Sequence, residues 1–254
     1  MQNLFDMKGK TALITGSSRG LGLILAKGLA AAGVRVVLNG RDEERLEAAR
    51  RELAEEGFDV YASVFDIIDY SATKTAVSRI EAEVGPIDIL VNNAGIQHRA
   101  PLEEFPEEAW RKVLDTNLTG AFHTAKAVAS GMIERRRGKI INICSLQSEL
   151  GRASIAPYAA AKGGLKMLTR GMCVDWAKYN IQINSLGPGY FVTEMTRPLK
   201  ENPEFDTWIC GRTPAGRWGD PEELIGTLIY LCAAASDFVN GQLIFVDGGI
   251  SAAI

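Results

Sequence analysis

Tyr158 and Lys162 stand four residues apart in a predicted helix running from near Pro157 to about Lys178, so both side chains lie on one face about one turn apart. An ammonium near a phenol favours the phenolate and draws the tyrosine down from its ordinary pKa of about 10, making proton exchange feasible near neutral pH. Ser145 ends the preceding strand, where its hydroxyl can hold a reacting hydroxyl or carbonyl oxygen. Asn117 lies in a long helical region, and its amide can bind water or the lysine through its carbonyl. Taken singly, each has a plain structural use: a helix-surface aromatic, a solvated charge, a turn former and a satisfied core amide.

A second cluster suits a phosphate-bearing ligand. Gly16, Gly20 and Gly22 follow the apolar run Lys10 to Thr15 at the spacing G-x-x-x-G-x-G and open a helix through Ala32. Glycines there allow a sharp turn and close backbone approach, and a helix start offers unpaired N–H groups to a pyrophosphate. The spacing is wider than G-x-G-x-x-G and lacks the Gly-Lys-Ser/Thr of an NTPase loop; a glycine turn needed only for packing is the alternative. The second strand ends Leu38-Asn39-Gly40-Arg41 with no acid at its tip, and Arg19 lies in the glycine turn, so the pattern favours NADP, with NAD possible. Asp42 either caps the next helix or points at a ribose. Asp66, after the third strand, either meets an adenine amino group or caps its helix, and Asn92-Asn93-Ala94-Gly95 ends the fourth strand beside the expected ribose.

The elements that must position these residues alternate. Strands are predicted at 10–15, 34–38, 60–65, 87–91, 139–144, 181–186 and 243–246, with helices at 42–56, 70–84, 107–136, 157–178 and 222–233 besides the first. Apolar runs without polar alternation, separated by helices, imply a parallel sheet covered on both faces. The segment 188–220 breaks the rhythm with several prolines, Trp208 and Trp218, and is expected to hold short helices or form a substrate lid. No linker or repeat divides the chain, so residues 1–254 are expected to form a single domain.

Composition narrows the function. With 254 residues, 46% hydrophobic and 23% charged, the chain has an ordinary globular make-up and needs no staples. Its 28 Lys plus Arg against 31 Asp plus Glu leave a net charge of -3, which gives no reason to expect nucleic acid or an anionic membrane as partner. Two histidines, His98 and His123, and four scattered cysteines argue against a metal site, and the cysteines suit a reduced cytoplasmic setting as small apolar residues. The start MQNLFDMKGK has no apolar core of a signal peptide, and no run approaches the roughly 20 apolar residues that cross a bilayer. Arg135-Arg136-Arg137 reads as the wet end of a helix.

As an ordered set, these residues resemble the short-chain dehydrogenase/reductase family along essentially the whole chain. The resemblance implies a single Rossmann-like doubly wound α/β domain with a seven-stranded parallel sheet flanked by helices. It assigns catalysis to Asn117, Ser145, Tyr158 and Lys162, and cofactor binding to Gly16, Ser18, Arg19, Gly20, Leu21, Gly22, Arg41, Asp66, Asn93, Ala94, Gly95, Pro188, Gly189 and Thr193, with Tyr158 and Lys162 shared. Hydride transfer without metal is implied, with Tyr158 as acid/base, Ser145 orienting the oxygen, Lys162 on the nicotinamide ribose and Asn117 holding a water that links lysine to solvent.

Ile14 to Gly22, Asn39-Gly40-Arg41, Gly95 to Arg99 and Asn117 to Phe122 are most similar to family members that interconvert gluconate and 5-ketogluconate. Arg99 suits a sugar-acid carboxylate, and Gln147, with Ser145 and Tyr158, its hydroxyl-bearing part; His98 is either a further hydroxyl contact or a loop residue. The alternatives are a 3-oxoacyl carrier-protein reductase, another sugar or polyol dehydrogenase, and a catalytically silent nucleotide-binding regulator. The family also implies a homotetramer built on the helices near 107–136 and 157–178.

Overall fold

Seven apolar runs become seven parallel strands, the central ones burying side chains on both faces and the edge strands β3 and β7 only in part. A computed structural model describes residues 3–253; residues 1, 2 and 254 of the expected domain lie outside the described residues. The strands are β1 (Thr11–Ile14), β2 (Arg35–Gly40), β3 (Val60–Val64), β4 (Ile87–Asn92), β5 (Gly138–Ile143), β6 (Ile181–Pro188) and β7 (Leu243–Val246). Their order is β3-β2-β1-β4-β5-β6-β7. The chain first winds outward from β1 to β3 and then returns to pair β4 with the other side of β1, which opens a crevice beyond the carboxyl ends of β1 and β4.

Alternate residues of each strand feed two separate cores. Ala12, Ile14, Val36, Leu38, Ile89 and Val91 face α1 (Gly20–Ala31), α2 (Glu43–Glu55) and the later helix α9 (Ile225–Cys232), meeting Leu25, Leu46 and Leu228. Leu13, Val37, Leu90 and Ile140 face the other way, against α3 (Tyr70–Glu83), α5 (Gly120–Arg135) and α6 (Ala156–Trp176), meeting Val77, Val128 and Met172. Leu13, Leu25, Leu46 and Leu90 are fully buried, each contributing about 1.5–3 kcal/mol relative to exposure.

A buried polar chain ties the centre of the sheet to two helices. Thr124 on α5 donates to Asn92 Oδ1, Asn92 Nδ2 donates to Asn142 (2.9 Å), Asn142 Nδ2 donates to Thr169 on α6 (2.8 Å), and Thr169 meets Ser185 on β6 (2.8 Å). Every hydroxyl and amide in the chain is thereby satisfied inside the core, as burial of polar groups requires.

The structure corrects several expected boundaries. The helix expected over 107–136 is α4 (Glu107–Leu114), a π-helical turn (Asp115–Thr119) and α5, because the extra residue per turn accommodates Asn117 against the 95–96 loop. The expected helix 157–178 ends at Trp176, followed by a 3₁₀ turn to Tyr179 and left-handed Asn180 (φ 59°). Strands β2 and β6 run two residues further than expected, carrying Asn39 and Pro188 inside the sheet. The long segment after β6 holds α7 (Arg197–Lys200) and α8 (Pro203–Arg212) before α9. Trp218 is buried there, its indole N–H donating to Asp206 (2.7 Å), whereas Trp208 is half exposed. Of the four cysteines, expected to be buried, Cys144 and Cys232 are, while Cys173 and Cys210 are partly open. The arginine run lies at the solvent-exposed end of α5, as expected, and there Arg135 and Arg137 also form ion pairs with Glu81 (3.1 Å) and Asp88 (2.8 Å).

Candidate active site

A cleft of about 590 Å³ runs across the carboxyl ends of the strands, within the range usual for ligand sites. Every residue assigned above to catalysis, cofactor or substrate lines it, from Gly16 at one end to Tyr158 and Arg99 at the other. His98 does not: it is exposed and packs edge-on against Phe105 at 5.2 Å.

The glycine turn is shaped by what lies opposite. Gly16 has φ +62°, and a Cβ there would come within 2.8 Å of the Ala94 backbone. At Gly22 a Cβ would fall 2.4 Å from the Asn93 amide and from the Gly16 carbonyl. Asn93 stitches the two together, donating to the Thr15 (2.9 Å) and Gly16 (3.0 Å) carbonyls, while Thr15 Oγ1 accepts from the Asn93 (3.0 Å) and Ala94 (3.1 Å) N–H groups. No side chain caps the α1 N-terminus, so its amides open onto the cleft beside Ser18 and Leu21. A pyrophosphate fits there, held by N–H groups and the helix dipole.

At the adenosine end, Asn39 carries a role that its sequence position did not reveal. It is buried, its Oδ1 accepts from Gly16 N–H (3.3 Å), and its amide donates to the Ser63 (3.2 Å) and Phe65 (3.1 Å) carbonyls. The Asn39 amide therefore acts as a brace at the strand tip, and Gly40 and Arg41 line the cleft beside it. Asp42 caps α2 by accepting from Arg45 N–H (3.0 Å). Asp66 does not cap α3, a task taken by Asp69; it accepts from Ile68 N–H (3.1 Å) and pairs with Arg41 (3.4 Å). Arg19 pairs with Glu194 across the cleft (3.4 Å), and Arg45, unnoticed in the sequence, with Asp42 (3.5 Å). These pairs are solvent-exposed, worth at most about 1 kcal/mol each, and an incoming phosphate can compete for the arginines.

At the chemical end, Ser145 holds its place through Gln147: the hydroxyl donates to Gln147 Oε1 (2.6 Å) and accepts from Gln147 N–H (3.3 Å). Gln147, expected on the substrate, is engaged with Ser145. The Asn117 side chain clamps the 95–96 loop, accepting from Ile96 N–H (3.2 Å) and donating to the Ile96 (2.9 Å) and Val113 (2.8 Å) carbonyls; its Oδ1 accepts one of these bonds and keeps a second lone pair. Lys162 is buried, donating to the Ile143 carbonyl (2.6 Å), with its Nζ 5.7 Å from the centre of the Tyr158 ring. Burial lowers Lys162 to a pKa of about 8. Burial raises the Tyr158 phenol to about 12, against the opposing influence of the Ser145 hydroxyl. The expected lowering of Tyr158 is thus reversed: desolvation outweighs the Ser145 hydroxyl and the charge of Arg99.

Substrate space lies over Tyr158. Arg99 donates to Gln97 Oε1 (2.9 Å), and desolvation, then the charge of Arg152, lowers its pKa below that of a free guanidinium even though part of the side chain reaches solvent. Arg152, which no sequence signal singled out, lines the same space with Tyr190 and Leu199. Pro188, Gly189 and Thr193 close the floor where β6 ends. A Cβ on Gly189 would meet the Asp247 backbone at 2.6 Å.

No group of three potential metal ligands occurs among the described residues. No described helix is long and apolar enough to cross a membrane.

The short chain dehydrogenase family model matches residues 10–204. The chain is 53% identical over 254 residues, all of both chains, to 5-keto-D-gluconate 5-reductase of Escherichia coli (strain K12). It is 54% identical over 252 residues, 99% of this chain and 98% of the relative, to gluconate 5-dehydrogenase of Gluconobacter oxydans (strain 621H). The crystal structure of a gluconate 5-dehydrogenase from Burkholderia cenocepacia J2315 in complex with NADP and tartrate superposes with a TM-score of 0.97 at 55% identity, covering 99% of this chain and 98% of that one. With the ordered site, the sheet order and these likenesses agreeing along its length, the chain belongs to the short-chain dehydrogenase family and is an oxidoreductase of the dinucleotide-binding type.

Proposed function

We propose that this enzyme interconverts D-gluconate and 5-dehydro-D-gluconate with NADP(H), Tyr158 serving as proton donor and acceptor. The observation that carries the reading is the meeting of Ser145, Tyr158 and Arg99 in one pocket at the end of a dinucleotide-sized cleft. When bound, NADPH would supply the hydride in reduction and NADP+ would accept it in oxidation. Ser145 orients the substrate oxygen, Tyr158 gives its proton to that oxygen in reduction and takes it back in oxidation, and Lys162 supports the charge left on the phenol and holds the cofactor's ribose. Arg99 holds the carboxylate. Purified enzyme is expected to reduce 5-ketogluconate with NADPH far more efficiently than uncharged ketohexoses, and Arg99→Ala to narrow that advantage by about 10- to 100-fold, the equivalent of one well-made charge-assisted contact. Steady-state kinetics with a 3-oxoacyl thioester as comparator decides it: a thioester winner with 5-ketogluconate at background overturns the sugar-acid reading.

NADP preference rests on Arg19 and Arg41 flanking the ribose end with no acid at the β2 tip. Arg41→Ala is expected to weaken NADPH binding about 5- to 30-fold and NADH binding little, less so at high salt, as fluorescence titration of both cofactors reads. Equal losses place Arg41 outside the phosphate site, and a wild type preferring NADH refutes the preference itself.

The 188–220 segment serves as a substrate cover, hinging on the aromatic packing of Tyr190, Phe205 and Trp218. A homotetramer is supported by exposed apolar side chains on α4–α6, among them Phe122, Met167 and Val174. The cytoplasm suits four free thiols.

A further inference from the structure

Five arginines line the cleft, and they fall into two kinds. Arg19, Arg41 and Arg45, at the adenosine end, each have an acidic partner. Arg99 and Arg152, at the substrate end, have none among the described residues: Arg99 reaches only the neutral Gln97 amide, and Arg152 donates to the Tyr190 hydroxyl (3.3 Å) while its guanidinium lies 4.5 Å from the Phe205 ring centre. Two cations near enough to repel, lined up beside neutral groups, leave a local excess of positive charge that an anion would relieve. The fold maintains this arrangement at some cost. Ala100 N–H donates to the Ser154 carbonyl (3.1 Å), pinning the Arg99 loop to the Arg152 loop, and Ser154 sits in the left-handed region at φ 66°, where a residue with a side chain is strained by about 1–2 kcal/mol.

We propose that Arg152 is a specificity-determining residue, the second arm of a clamp that closes with Arg99 on the substrate carboxylate. The idea rests on the sugar-acid reading above and adds to it the residue that sets charge selectivity. A carboxylate has two oxygens and about four lone-pair directions, so guanidiniums arriving from two loops can share it. Tyr190 and Phe205 come from the segment after β6, so the clamp is also where that segment meets the anion: the phenol hydroxyl and the ring fix the guanidinium's plane without neutralising it.

The test uses full-length Arg152→Met, which keeps the stem's packing and loses the charge, and Arg152→Lys, which keeps the charge and loses the fork. Calorimetry measures gluconate binding to the NADPH-saturated enzyme, a pairing that cannot react, and kinetics measures kcat and KM for 5-ketogluconate and for an uncharged ketohexose. Arg152→Met is expected to raise the gluconate Kd and the 5-ketogluconate KM by at least about tenfold, with kcat within about threefold, and Arg152→Lys to recover part of the loss. A KM rise shared equally by charged and uncharged substrates overturns the proposal in favour of packing of the cover alone, as does an unchanged gluconate Kd. If the wild type binds gluconate and loses it on Arg152→Met yet reduces no 5-ketogluconate, the clamp stands and the substrate reading falls; if it reduces 5-ketogluconate and Arg152→Met leaves KM and Kd alone, the clamp falls and the reading stands.

Discussion

Tyr158→Phe is expected to turn over at least about 10²-fold more slowly than wild type while folding normally and binding NADPH with little change. The substitution removes one oxygen and one proton and keeps the ring that packs between Ser145 and Lys162, so the loss reports proton transfer and not a collapsed cleft. Burial holds the phenol near 12, so across neutral pH Tyr158 carries its proton and is ready to donate it in reduction. Oxidation needs the opposite, an oxygen able to accept, and that form grows as pH rises toward the phenol's pKa. Wild-type kcat/KM for alcohol oxidation should therefore climb with pH while ketone reduction does not, and the climb should vanish in Tyr158→Phe. Rate profiles in both directions, with circular dichroism to check folding, read this; near-normal turnover by the folded variant removes Tyr158 from the chemistry.

Lys162→Met is expected to lose activity by a similar factor and, unlike the tyrosine change, to alter how stability depends on pH. In the unfolded chain the lysine keeps its proton to about 10.5, whereas the folded protein releases it near 8. Below 8 both states are protonated and the full cost of burying an ammonium weighs on the fold. Between 8 and 10.5 unfolding takes up a proton, so raising the pH through this window stabilises the wild type. Relative to Lys162→Met, which has no proton to exchange, the wild type should gain about 2 kcal/mol between pH 7 and pH 10. Urea unfolding of both proteins at the two pH values measures the difference directly. A constant gap means that the ammonium is not held in a desolvated place, and the Ile143 carbonyl contact then stabilises it fully.

The parallel sheet was legible because strands covered on both faces are mostly apolar without polar alternation, and the runs at β1, β2, β4 and β5 have no such alternation despite Asp88, Lys139 and Asn142. The four residues around Tyr158 were legible as a set because their order along the chain carries information that no single residue holds. Three features escaped for physical reasons. The π-helical turn at Asp115–Thr119 leaves the apolar periodicity almost undisturbed, since one inserted residue shifts a stripe by less than its width. The hydrogen bonding of Asn39 and Asn117 is set by backbone groups far away in sequence, Gly16 and Phe65 for one and Ile96 for the other, so type and position alone could not show the clamps that these amides make. Arg152 sits in an irregular loop with no period to mark it, and only the approach of Tyr190 and Phe205 from a distant segment gives it a place. The reversed Tyr158 pKa has a similar origin: spacing put lysine and tyrosine on one helix face but could not show how deeply the phenol is buried.

The polar chain of Thr124, Asn92, Asn142, Thr169 and Ser185 bears on how such a protein can drift over generations. Each member is donor or acceptor to the next, so exchanging one for a hydrocarbon strands its neighbour's polar atom in a dry core at about 1–3 kcal/mol, a sizeable share of a domain's whole margin. Exchanging two adjacent members together strands fewer groups than the separate losses would suggest, so the pair is tolerated where neither single change is. The five positions are therefore expected to change in linked steps, and while the network persists it holds α5 and α6 in register on the central strands. Surface residues around the cleft are free to vary one at a time and retune what is bound, while the helix that carries Tyr158 and Lys162 stays where the chemistry needs it.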